Sequence, residues 1–187
     1  MATVHLIILS AEAKMFTTRA TYQLGKYVSV EVHDHGSDHI EVALIQTLYE
    51  KNLLVKKDYT MTLQRYQQLM WQKDEIEEAI RKHKAGVDVH YSWHLGGNNY
   101  VQVNSGFPVV DLRKFWLPEG KNQVQATRRG IPLKFDEYDT LIKLRAEIEQ
   151  VMPELKDTEP CYMGNDHMNQ LGYLRCTECN PNDCCNW

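Results

Sequence analysis

The chain matches itself at a shift of about 70 residues, and this internal period narrows its fold more than any other feature. Leu24-Gly25 returns as Leu95-Gly96, and Tyr27-Val28 returns as Tyr100-Val101. Leu63 and Leu133 each precede a helical pattern, while Tyr66 recurs as Tyr138 and Ile76 as Ile148. The shift drifts only slightly from pair to pair, which marks two copies of one unit, over residues 16–84 and 90–155. Residues 156–187 stand outside the repeat as a Cys/His-rich tail.

Within each copy the hydrophobic period changes once. Tyr27 to Val32 alternates, with Val28, Val30 and Val32 on one side, and Tyr100 to Val103 does likewise. Alternation rich in β-branched residues is the pattern of a half-buried strand. Turn residues follow in His35-Gly36-Ser37-Asp38 and in Asn104-Ser105-Gly106. Ile40 to Leu48 and Pro108 to Leu117 read as the next strands, and further strands are expected near Val55 to Thr60 and Gln123 to Arg129. The period then turns helical: Tyr66, Leu69, Ile76 and Ile80 share one face, as do Tyr138, Leu141, Ile148 and Val151. Thr62 and Asp136 are the N-cap candidates, and Pro153 is expected to close the second helix. Strands then helix, twice, predict an α+β fold. One such module has little chain with which to cover its own sheet, so the two are expected to pack together as a dimer made within a single chain.

Charge directs where a function must be sought. The formal net charge is −4, which excludes a uniformly basic surface of the kind that packages nucleic acid and leaves only local basic patches. No window reaches the roughly 20 apolar residues of a membrane helix, so no membrane partner is expected. Val4 to Leu9 followed by Ala11-Glu12-Ala13 has the outline of a short secretory signal, yet no Lys or Arg precedes it, so an intracellular chain is expected.

The second copy runs Trp93-His94-Leu95-Gly96, Tyr100-Val101-Gln102-Val103, then Val110-Asp111-Leu112-Arg113-Lys114-Phe115-Trp116. It continues with Pro118-Glu119-Gly120-Lys121, Thr127-Arg128-Arg129-Gly130-Ile131-Pro132-Leu133 and a helix from Asp136. A strand ending in an aromatic pair, an acidic-Gly-Lys loop, a basic-basic-Gly-Ile-x-Leu segment and a closing amphipathic helix resemble the C-terminal domain of the positive-cofactor-four family of transcriptional coactivators. The match in order and spacing extends through most of the second copy. The first copy is similar but keeps less: Leu24-Gly25-Lys26, the Tyr27-Val28-Ser29-Val30 strand and Met61-Thr62-Leu63. Leu48 stands where the family aromatic is expected, and Asp58-Tyr59-Thr60 replaces the basic-basic-Gly. The resemblance implies a four-stranded antiparallel curved sheet followed by one helix, in two copies paired as an intrachain pseudo-dimer. It also implies binding of single-stranded or melted DNA on the sheet ridges, with Trp116 exposed and Phe115 packed, and a nuclear role in transcriptional coactivation by RNA polymerase II.

The residues test that implication independently. From Trp93 to Phe135 six cations, Arg113, Lys114, Lys121, Arg128, Arg129 and Lys134, face two anions, Asp111 and Glu119, a local balance of +4 inside an acidic protein. Trp93, Tyr100, Phe107, Phe115 and Trp116 are interleaved with them. Cations neutralise phosphates and exposed rings stack unpaired bases, a combination suited to single strands of DNA or RNA. Phe107, Arg113, Trp116, Lys121, Arg128 and Arg129 are the candidate contacts, Phe107 lying in a turn shorter than the family pattern. The corresponding stretch of the first copy, Tyr22 to Leu63, has a balance of −2, and binding is expected to be lopsided. Its His33, His35 and His39 read as a loop of solvated histidines that gain charge below neutral pH.

All five cysteines lie in the tail. Cys176-Thr177-Glu178-Cys179 is half of a tetrahedral zinc site, which Cys161 and His167, or His167 and Cys184, can complete. The spacing matches no standard finger; a redox-active or disordered tail and a disulfide are the alternatives. No Gly-rich phosphate loop, Ser/His/Asp set or paired-carboxylate motif is evident, so no enzyme is expected. The competing reading is a module that docks on proteins of the transcription machinery, with the acidic Glu75-Ile76-Glu77-Glu78 face as its contact.

Overall fold

The computed structural model describes residues 16–37, 39–50, 53–163, 167 and 170–182. The signal-like N-terminal segment, Asp38 and the Cys184-Cys185 pair lie outside the described residues. The described residues form two four-stranded antiparallel sheets, each followed by helices, an α+β architecture. The first sheet has the order β1 (Thr17–Gln23), β2 (Val28–Asp34), β3 (Ile40–Glu50), β4 (Leu53–Thr62). It leads into α1 (Leu63–Trp71) and α2 (Lys73–Lys84). The second has the order β5 (His90–Gly96), β6 (Asn99–Asn104), β7 (Val109–Trp116), β8 (Gln125–Lys134) and leads into α3 (Phe135–Lys143) and α4 (Arg145–Gln150).

The alternation read from sequence sets which face of each sheet is dry. Val28, Val30 and Val32 of β2 and Val101 and Val103 of β6 are buried, as are Val42 and Leu44 of β3 and Val110 and Leu112 of β7. The helical faces land on them: Tyr66, Leu69, Ile76, Ile80, Tyr138, Leu141 and Ile148 are buried in one continuous core drawn from both halves of the chain. Val151 is only half-buried at its margin.

Several local expectations shift. Each expected helix is two, broken at Gln72 and Leu144, where the turn tightens: the Gln72 amide donates to both Gln68 O and Leu69 O at 3.2 Å. The apolar face survives the break because the backbone stays near helical there. Thr62 is the cap of α1, its Oγ1 accepting from Arg65 N, but Asp136 is not the cap of α3. The cap is Lys134, two residues earlier, so the helix starts at Phe135, and the Glu137 carboxylate accepts from Lys134 N at 2.8 Å. Pro153 does not close α4, which ends at Gln150; it opens a 3-10 turn over Pro153–Asp157, a position that needs no amide donor. β1 escapes the sequence pattern because it is an edge strand of polar residues with one face exposed. The histidines are not a solvated loop either. His33 belongs to β2, is buried, stacks on Phe16 at 4.0 Å and meets Glu31 at 2.9 Å; of the three, only His39 is exposed.

The two halves interlock. β4 lies against β8, α1 packs on β5 as well as on β3 and β4, and α2 reaches β6. Tyr22 of β1 donates to Glu147 O at 3.1 Å, and Tyr91 of β5 donates to Gln72 Oε1 at 3.1 Å. A Cβ at Gly25 would lie 2.8 Å from Glu137 Oε1, and one at Gly97 would strike the Arg65 guanidinium. The β1–β2 and β5–β6 turns thus each rest on the first turn of a helix from the other half.

The hydroxyls of Tyr66 and Tyr138 are buried with no hydrogen-bond partner among the described residues. An unmet buried hydroxyl costs about 1–3 kcal/mol, whereas the ring is worth keeping. Tyr66→Phe and Tyr138→Phe are therefore expected to be neutral or to stabilise by about 1 kcal/mol in urea denaturation. A loss of stability in both would show that the hydroxyls have partners.

Arg19 ties β1 to the C-terminal turn. Its guanidinium bonds Asp34 at 2.8 Å, Glu154 at 2.7 Å and Val151 O at 3.1 Å. The Asp34 carboxyl is lowered by the Gly36 amide and by Arg19, and Glu154 chiefly by Arg19. Depressed folded values mean that the unfolded chain binds more protons in acid, so this stability is full above the ordinary carboxylate range and lost as pH falls below about 4. Between about pH 5 and pH 3, wild type is expected to lose more stability than Arg19→Ala. Equal acid sensitivity in thermal melts would remove the arginine from the account.

Candidate metal centre and nucleic-acid face

After the 3-10 turn the chain folds back onto the second sheet. Cys161 opens a short turn, Cys161–Met163, and α5 (Gln170–Arg175) leads into the Cys176–Cys179 knuckle. Ligand atoms of Cys161, His167, Cys176 and Cys179 all lie within 4.8 Å of one another, and each residue is half-buried. The sulfurs of Cys161 and Cys179 are 3.2 Å apart. In a tetrahedral thiolate site, with metal–sulfur bonds of about 2.3 Å, sulfurs sit roughly 3.8 Å apart, so small shifts bring this cluster to that geometry. Both ring nitrogens of His167 are buried, one of them within reach of the cysteine sulfurs. Burial pushes the Cys161 and Cys179 thiols upward. Burial opposes ionisation of Cys176 too, but the Cys179 amide, the His167 side chain and the Glu178 amide outweigh it and bring that thiol down to about 7. The described cluster holds Cys161, while Cys184, the other alternative read from the sequence, lies outside the described residues.

The knuckle is fixed to both halves of the body. Glu178 takes the Arg65 guanidinium of α1 on both oxygens, at 2.7 and 3.1 Å, and its carbonyl accepts from Gly97 N at 2.9 Å. The Asn98 amide donates to Asn182 Oδ1 at 2.6 Å. Between knuckle and β5 lies a cleft of about 410 Å³ walled by Trp93, His94, Tyr100, Tyr162 and Tyr173. Composition alone did not point to these tail tyrosines, because nothing in the sequence tells which face of the body the tail meets.

The second sheet distributes the sequence-predicted contacts over three places. Phe107, 72% exposed, closes a cleft of about 370 Å³ on the face away from the core, shared with Gln102, Asp111 and Arg113. Arg113 is committed there: it pairs with Asp111 at 2.8 Å and donates to Thr127 O at 2.8 Å. Arg129 instead lines a cleft of about 440 Å³ at the seam of the two sheets, with Lys114, Arg65, Asn99, Tyr59 and Asp58. Trp116 and Lys121 stand near the far end of β7, Trp116 being 52% exposed and Phe115 turned against Tyr100 at 5.0 Å.

Local chemistry builds that end. The β7–β8 register shifts between Arg113 and Phe115, and Thr127 Oγ1 bridges Lys114 O and Arg129 N in the slack. Gly130 permits it, since a Cβ there would lie 2.7 Å from Leu112 O. The resulting bulge leaves Arg128 and Arg129 exposed. Lys114, Lys121, Arg128 and Arg129 form no ion pair among the described residues, unlike Arg113. On the first sheet the matching β3–β4 tip carries Tyr49, Leu53, Leu54 and Val55 exposed in their place.

No protein-family model, curated protein or solved structure matches the chain. No helix among the described residues is long and apolar enough to cross a membrane.

Proposed function

We propose that this chain binds single-stranded or melted DNA through its second sheet and acts as a nuclear transcriptional coactivator without enzymatic activity. Its two sheet-and-helix halves are duplicated modules paired as an intrachain pseudo-dimer. Reciprocal seating supports the pairing: Gly25 on Glu137 and Gly97 on Arg65 are the same contact made twice, once from each half. The observation that carries the binding reading is the set of cations Lys114, Lys121, Arg128 and Arg129, without ion pairs among the described residues, in the same β7–β8 half as the exposed Trp116 ring in a protein of net charge −4. Phosphates meet the cations and an unpaired base stacks on the indole. Phe107 lies beyond the other end of β7, in the cleft on the sheet face away from the core. Arg113 holds the sheet in this reading, and Lys114 takes the phosphate role beside it.

Zinc fits the tail cluster. Three thiolates and one imidazole form a closed donor set, the kind that folds a segment and leaves no position for a substrate. Its resident ion would hold the knuckle against β5 and α1. A fluorescent oligothymidine titrated at two salt concentrations tests the DNA reading: binding that weakens steeply with salt is expected. A folded protein with no binding would sink it.

A second reading, docking on proteins of the transcription machinery, is favoured by the first sheet. Tyr49, Leu53 and Leu54, each more than half exposed, cluster at the β3–β4 tip, and exposed apolar clusters mark interaction surfaces. The acidic face of α2 is a poorer contact, because Glu77 pairs with Lys73 and Glu78 with Arg81 and Lys82.

A further inference from the structure

We propose that the β2–β3 hairpin carries a second metal site, in which His35, His39 and Glu41 bind one divalent transition-metal ion of the zinc, nickel or copper type. It is built from nitrogen and oxygen donors and stands apart from the cysteine cluster of the tail. The turn that makes it is tightly specified. His35 N donates to His39 O and His39 N to Gly36 O, both at 3.0 Å, and Asp34 Oδ1 accepts from Gly36 N at 2.8 Å. Gly36 and Ser37 take positive φ of 77° and 50°, which reverses the chain within a single tight turn. The two imidazoles, one from each side of the turn, are thereby brought to 5.1 Å between ring centroids.

Both imidazoles converge on one carboxylate. His35 Nε2 lies 3.0 Å from Glu41 Oε2, and His39 Nε2 lies 3.2 Å from Glu41 Oε1. Glu41 is fixed in β3, paired in register with His33 of β2, on the sheet face opposite the buried Ile40 and Val42. Nitrogen and oxygen ligands about 2.1 Å from a tetrahedral zinc ion are themselves about 3.4 Å apart, so the ion fits with movements of a few tenths of an ångström. Each neutral imidazole offers the Nε2 lone pair to the ion and keeps its single ring proton on Nδ1. His33 is not a ligand: its Nε2 is taken by Glu31 at 2.9 Å and its ring by Phe16. Phe16 also approaches His35 at 5.4 Å, giving the site one apolar wall. Three protein ligands leave a coordination position open toward solvent, where His39 is exposed. Imidazole with carboxylate selects zinc, nickel or copper over magnesium or calcium, which prefer all-oxygen cages.

The test is zinc uptake by the full chain, by calorimetry in excess magnesium, for wild type, Cys176→Ser and His39→Ala/Glu41→Gln, with circular dichroism as the folding control. The exposed hairpin tip makes the double variant a mild change to the fold. Wild type is expected to bind one more equivalent than the hairpin variant. Cobalt distinguishes the sites spectroscopically, since the intense thiolate-to-metal band belongs to the tail and a weak band without it to the hairpin. Loss of the tail equivalent alone in Cys176→Ser, with the histidine-dependent one intact, would support the hairpin as a separate site. Equal uptake by wild type and the folded hairpin variant would overturn the hairpin site.

Discussion

Trp116→Ala is expected to weaken oligothymidine binding about 5- to 150-fold, the range set by roughly 1–3 kcal/mol for each stacked base. The indole is half exposed at the end of β7, while its neighbour Phe115 is the ring packed against Tyr100, so truncation removes a stacking surface and leaves the core alone. Arg128→Ala/Arg129→Ala should act differently. Each phosphate contact on a single strand contributes about 0.7 to the slope of log affinity against log salt, so losing both is expected to flatten it by about 1.4. Arg113→Ala provides the contrast. That guanidinium braces Asp111 and Thr127 O within the sheet, so the variant should melt earlier with its salt slope nearly intact. If Trp116→Ala binds like wild type while folded, stacking at that ring is wrong.

That contrast also shows what the sequence could and could not convey. Alternation in Val28-Ser29-Val30 and the helical face Tyr138, Leu141, Ile148 set the sheets and helices, because burial on one side is written directly into residue period. Pairing is not written that way. Arg113 and Lys114 are adjacent cations of the same apparent value, yet Arg113 pairs with Asp111 and donates to Thr127 O, while Lys114 forms no ion pair among the described residues. The buried His33 was equally opaque, since its stacking partner Phe16 sits on the approach to β1, an edge strand with no hydrophobic alternation to announce it. In the tail, ligand types and the Cys-x-x-Cys spacing were legible. Docking was not, because Glu178 meets Arg65 at the start of α1 and the Gly97 amide after β5, both far back along the chain.

Removing metal from the tail should release it from the body, and the largest change is expected in hydrogen exchange. A tail of this length buries too little apolar surface to order itself, whereas zinc bound to comparable small peptides contributes about 10–16 kcal/mol at neutral pH. Chelation, or Cys176→Ser, should therefore raise exchange over α5 and the Cys176–Cys179 knuckle and at the Gly97 amide, which donates to Glu178 O. The Arg65–Glu178 pair opens with it, and the cleft between Trp93 and Tyr162 widens into solvent. The sheets and helices keep their circular dichroism, since the shared core includes no tail residue beyond Leu155. The competing chemistry has a separate signature. Cys161 and Cys179, with sulfurs 3.2 Å apart, are placed to form a disulfide under oxidation. A tail held that way opens with reductant and ignores the chelator, whereas a tail held by zinc opens with the chelator and ignores the reductant. Protection of Gly97 that survives both treatments would mean that the Glu178 contacts alone fasten the tail, and that the cysteine cluster has no structural ion.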